Sequence, residues 1–141
     1  MVLVMSSVTL YAQSLRFRMA FSYEANQMSG MLILKTEEEV TKGSMVNEFG
    51  VNFVEFTIKN GRAKIVRINP MLKRPFLKKV LRRDFELLWE SIQSDEDRTM
   101  QSRRGGVSRA FCVRQTDEES KLLSLRLEHL KLPLVINLYQ L

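Results

Sequence analysis

Between Leu15 and Glu24 the chain changes side-chain character at every residue, setting Leu15, Phe17, Met19, Phe21 and Tyr23 against Arg16, Arg18, Ala20, Ser22 and Glu24. Successive side chains of a strand point to opposite faces, so this stretch predicts a strand with one apolar face to bury and one wet face. The pattern continues beyond it. After a turn at Ala25-Asn26, Met28–Lys35 reads as the partner strand, with Gly30 marking a bulge or a close backbone approach. Thr36–Glu39 is a charged turn, Val40–Asn47 a weaker third strand, and Asn47-Glu48-Phe49-Gly50 a bend before a fourth strand at Val51–Lys59. Asn60-Gly61 is the strongest hairpin signal, because a type I′ turn needs positive φ at both central residues. Arg62–Ile68 returns from it. Five consecutive strands with short connections pair antiparallel in sequence order.

Asn69-Pro70 ends this meander, and Pro75 suits the first turn of a helix, where its missing N–H is not needed. From there Leu77, Val80, Leu81, Phe85, Leu88 and Ile92 follow helical spacing, which predicts a helix over about 75–91. Ser91–Gly106 is polar and aperiodic and reads as an exposed loop. Val107–Arg114, Lys121–Leu130 and Leu134–Leu141 complete the strands, with an acidic turn at Thr116–Glu119 and Pro133 before the last. The fold class is mainly β (α+β): a curved antiparallel sheet or half-open β-barrel of about 8 strands, with one amphipathic helix covering its concave side.

A chain of 141 residues fits one domain, and 45% hydrophobic with 27% charged residues excludes a disordered one. Residues 14–141 form that domain. Residues 1–13 are either its first strand or the remnant of a secretory signal, since Met1–Ala12 is apolar but lacks a basic n-region. No apolar run is long enough for a membrane-spanning helix. The lone Cys112 excludes an internal disulfide and a multi-thiolate zinc site, and the lone His129 leaves few general-base or metal options. Cys112 and His129 as nucleophile and base lack any orienting motif around either residue. Glu37, Glu38 and Glu39 form a turn cluster, and Asp95-Glu96-Asp97 lacks the EF-hand pattern. Gly105-Gly106 lacks the Lys-Ser/Thr of a phosphate loop. These observations assign no catalytic residue, metal ligand or cofactor, and the reading is non-enzymatic.

Charge is distributed unevenly. From Phe56 to Arg83 there are ten basic residues and no acidic one: Lys59, Arg62, Lys64, Arg67, Lys73, Arg74, Lys78, Lys79, Arg82 and Arg83. With a net charge of +6 for the whole chain, the remainder is acidic overall. Lys73, Arg74, Lys78, Lys79, Arg82 and Arg83 make a surface patch that fits an anionic membrane surface or another protein. A solvated hairpin and helix face is the plainer account of the same charges. Nucleic acid is the least favoured partner, for want of interleaved aromatics or a binding motif. The methionines concentrate early, and Phe17, Phe21, Phe49, Phe53 and Phe56 lie on the meander. These residues either fill a core beneath the helix or line a pocket.

Ser29–Trp89 carries the sequence Ser29-Gly30-Met31-Leu32-Ile33-Leu34-Lys35, then Asn47-Glu48-Phe49-Gly50 and Phe53-Val54-Glu55-Phe56, and after the hairpin Leu72-Lys73-Arg74 and Arg83-Asp84-Phe85-Glu86-Leu87-Leu88. This stretch resembles small Gram-negative envelope proteins related to the outer-membrane lipoprotein carrier and receptor superfamily, the LolA/LolB-like fold. The resemblance covers about half the chain and implies a half-open barrel whose concavity holds acyl chains. Where lipoprotein members carry a lipobox cysteine, this chain has Ala12-Gln13-Ser14. The resemblance implies a periplasmic or outer-membrane setting; a true N-terminal strand implies a cytoplasmic one. Met19, Phe21, Leu32, Leu34, Phe53, Phe56, Leu81 and Phe85 are the candidate lining of a lipid or acyl-chain cavity. The rival expectation is an interaction module with a filled core and no small ligand.

Overall fold

The computed structural model describes residues 13–72, 74, 76–102, 109–117, 119 and 122–141. The segment 1–12 of the signal-or-strand expectation, with Lys73 and Pro75, lies outside them. The strands are β1 (Gln13–Tyr23), β2 (Asn26–Glu37), β3 (Val40–Asn47), β4 (Asn52–Lys59), β5 (Arg62–Ile68), β6 (Thr99–Gln101), β7 (Ala110–Thr116), β8 (Leu123–His129) and β9 (Leu134–Gln140). A short 3₁₀ turn, Pro70–Leu72, precedes α1 (Leu77–Gln93), the one α-helix among the described residues. All nine described strands form one open antiparallel sheet in the order β5-β4-β3-β2-β1-β9-β8-β7-β6.

The meander β1–β5 pairs in sequence order, as the alternation predicts. Asn60 and Gly61 take φ of 54° and 76°, the backbone that a type I′ hairpin demands. Gly30 is a point of close approach, since a Cβ built there would lie 1.9 Å from the Val46 carbonyl oxygen. The C-terminal strands form a second meander, and β1 joins the two by pairing with β9 from Phe17↔Gln140 to Tyr23↔Leu134. The ninth strand, β6, lies inside the polar stretch that reads as loop. It has three residues with one apolar side chain, Met100, too few for alternation to show; pairing with β7 (Thr99↔Val113 to Gln101↔Phe111) creates it.

Helix α1 covers one face of this sheet. Glu86 Oε2 accepts the N–H of Ala63 on β5 (2.8 Å), and the Ser91 carbonyl accepts Nε–H of Arg114 on β7 (3.0 Å). Those two anchor points lie only about 8 Å apart along the helix axis. Strands near both ends of the nine-stranded sheet are thereby tied to the helix. Inward residues of β1, β2, β4, β8 and β9 pack with Leu77, Leu81, Phe85 and Leu88 in one apolar cluster. Phe56 stacks on Phe85 with ring centroids 3.8 Å apart and planes 8° from parallel. Opposite Phe56 on β3 stands Gly43, where an added Cβ would come within 2.2 Å of the Phe56 ring. Only glycine leaves room for that ring between strand and helix.

Candidate functional site

All eight candidate lining residues are buried, at no more than 7% exposure, and all belong to the core cluster. Beneath the helix, among Leu32, Leu34, Phe56, Phe85 and Trp89, the free space amounts to about 10 Å³. That is smaller than one methylene chain requires. At this place the helix itself fills the space over the sheet.

Phe21 and Phe53 also reach a second place, an open cleft of about 690 Å³ at the sheet end next to the 3₁₀ turn. Its origin is local. Pairing of β2 with β3 stops at Gly30↔Asn47, so Asn26–Ser29 runs on beside the β3–β4 bend, where Glu48 N–H donates to the Ser29 carbonyl (3.2 Å). Asn47 Oδ1 accepts the N–H groups of Phe49 (2.9 Å) and Val51 (2.8 Å), and Gly50 supplies φ of 82°. The bend therefore holds Phe49 outward, 83% exposed. Asn69 does the same across the cleft: its Oδ1 accepts Met71 N–H (2.9 Å), and Met71 stands 77% exposed. The apolar floor is Phe21, Phe53 and Leu72. Arg74 places its guanidinium 5.8 Å from the centre of the Tyr23 ring, and Phe76 meets that ring edge-on at 6.5 Å.

Of the six basic-patch residues, five are described. Arg74 belongs to the apolar cleft, Lys78 and Lys79 are exposed on the first turn of α1, and Arg82 and Arg83 border a different depression beside the β4–β5 turn. Lys73 lies outside the described residues.

A buried polar seam lies between α1 and the C-terminal meander. His129 Nε2 of β8 lies 2.9 Å from Asp84 Oδ2 of the helix, with side chains 2% and 1% exposed. Among the described residues, Asp84 Oδ1 and His129 Nδ1 have no hydrogen-bond partner. Burial raises the Asp84 pKa above its ordinary value, against the hydrogen bond and charge of His129, which lower it. One helical turn pair further on, Ser91 Oγ donates to Met100 Sδ (3.4 Å). Cys112 is fully buried in this neighbourhood. Burial pushes its thiol up to about 11, with a Ser91 hydroxyl hydrogen bond opposing and the Asp84 charge adding to the rise. Such a thiol stays protonated at neutral pH and is a poor nucleophile. The fold thus brings the lone His to a carboxylate that sequence spacing did not connect with it, 45 residues away. Among the described residues no cluster of His, Cys, Asp and Glu could hold a metal ion, and no helix is long and apolar enough to cross a membrane.

No family model matches this chain, and no curated protein sequence matches it.

Proposed function

We propose that this protein is a non-enzymatic binding protein of the cell envelope that takes an acyl chain or similar apolar ligand in the cleft between the β3–β4 bend and the 3₁₀ turn. One observation carries the reading: an open volume of about 690 Å³ with a buried apolar floor and two rim side chains, Phe49 and Met71, fixed outward by asparagine hydrogen bonds. The volume lies within the usual range for small-molecule sites. Holding large apolar side chains in water gives a monomer nothing, whereas a bound chain would cover them. Arg74, beside the cleft, suits the acidic end of such a ligand. The resemblance of Ser29–Trp89 to lipoprotein carriers supports the envelope setting and the ligand class.

Mass spectrometry of organic extracts and titration with a fluorescent fatty acid test this together. Copurified lipid or saturable probe binding is expected, and Phe49→Ser with Met71→Ser weakens probe binding about tenfold or more. Their stability changes stay within about 0.5 kcal/mol, because both side chains are exposed. Lipid-free protein that ignores the probe overturns the reading. That outcome favours a second reading, an interaction module, which the filled space beneath α1 supports.

A further inference from the structure

The seam between the two sheet edges carries a site of a different kind. Around the β4–β5 turn, the outer face of α1 and the end of β6, a depression of about 540 Å³ opens to solvent. Arg62 enters it from the hairpin, Arg82 and Arg83 from the helix, and Trp89 forms part of its wall. None of the three arginines makes an ion pair with a described residue. Arg82 and Arg83 are adjacent on one element and Arg62 approaches from another, so three like charges stand around one concavity. Concave walls focus such a field and raise the local concentration of anions.

Two carboxylates share the depression, and they do not neutralise it in the same way. Glu86 is committed to the Ala63 N–H at 2.8 Å, which pins the hairpin edge to the helix and sets the distance between Arg62 and the helical arginines. Glu90, one turn further on, is exposed at the end away from Arg82 and Arg83. The arginine end therefore presents planar N–H forks in a pocket, the donor geometry that matches the oxygens of a phosphate group.

We propose that this depression binds a phosphate group, held by Arg62, Arg82 and Arg83 and covered on one side by Trp89. The assignment is independent of the apolar cleft and rests on other residues. The ligand is a phosphate ester of headgroup size, either presented by a lipid or free in solution.

Trp89 is the chain's one tryptophan, so intrinsic fluorescence reports from the site itself. Full-length protein is titrated at low salt with glycerol phosphate, and separately with phosphatidylcholine vesicles lacking or containing phosphatidylglycerol. A saturable change in Trp89 emission is expected. Arg62→Ala and Arg83→Ala each weaken it about tenfold, the worth of one charge-assisted pair. Both residues reach solvent, and unchanged circular dichroism confirms that the variants fold. Lys78→Ala with Lys79→Ala, on the neighbouring exposed turn, leaves the affinity unaltered. Saturation by glycerol phosphate assigns a soluble ester; saturation only by the phosphatidylglycerol vesicles assigns a lipid headgroup. The absence of a saturable change with either overturns the proposal. So does an equal loss in the Lys78/Lys79 variant, or tighter binding of an oligonucleotide that depends on those lysines, because a diffuse basic surface then accounts for the charge.

Discussion

Asp84 and His129 are both removed from water, and among the described residues each has only the other. A buried pair of this kind is costly to break and cheap to replace as a unit. Asp84→Leu leaves His129 without its partner and is expected to cost about 3–5 kcal/mol in urea denaturation. The double variant Asp84→Leu/His129→Leu recovers most of that loss; if the two single costs simply add, the pair is not coupled. Asp97 behaves oppositely towards pH. The hydroxyl and then the N–H of Thr116 hold its carboxyl below its ordinary value of 3.8, with Arg114 adding to the effect. A depressed folded pKa contributes stability that is present above the unfolded value and lost as pH falls through the folded one. Asp84, whose folded pKa is raised, works with the other sign: its contribution declines as pH rises through its titration. Asp97→Asn is therefore expected to flatten the acid limb of stability against pH below about pH 4. Thermal melts across that range check it, and an unchanged slope relative to the parent protein refutes it.

Elements differ in how openly the sequence announces them. The alternation of β1 and the Asn60-Gly61 turn are local signals, and β3 and β5 fall where they point. The two-residue turn at Glu38 and Glu39 has positive φ at both positions, 49° and 71°, although neither residue favours it; strand pairing on both sides imposes that backbone. β6 was illegible for the related reason that its partner, β7, makes it a strand. Helix α1 shows its apolar stripe in the sequence, yet Asp84 sits on its buried side beside Arg82 and Arg83. Which polar residue turns inward depends on how the sheet wraps the helix, and no local pattern encodes that. The clefts share this property: Phe49 and Phe53 were visible as candidates, while Met71 and the meeting of Arg62 with Trp89 arise from topology. At this scale the sharpest test is Gly43→Ala. The new methyl would force the Phe56 ring off Phe85, and overpacking of this kind costs about 1–3 kcal/mol. Denaturant titration reads the cost; a neutral or stabilising result would mean that the ring can slide without leaving its stack.

As a whole, the molecule carries two openings of different chemistry. The β3–β4 bend and the 3₁₀ turn frame an apolar opening, the β4–β5 turn, the helix and the end of β6 frame an arginine-lined one, and only about 10 Å³ stays free between helix and sheet beside Phe56 and Phe85. The strand at the centre, β1, is joined on one side by its immediate successor and on the other by β9, from more than a hundred residues later in the chain. That arrangement has a kinetic meaning. As the polypeptide is made, β1 to β5 and then the helix emerge with their contacts at hand, while the other edge of β1 stands open until the last strand arrives. Closing so long a loop is slow, because its entropy is lost before any pairing compensates it. Arg16 and Arg18, facing outward along that waiting edge, discourage another chain from pairing there first. His129 reaches Asp84 from β8, so the seam between helix and sheet is completed by a strand of the C-terminal meander.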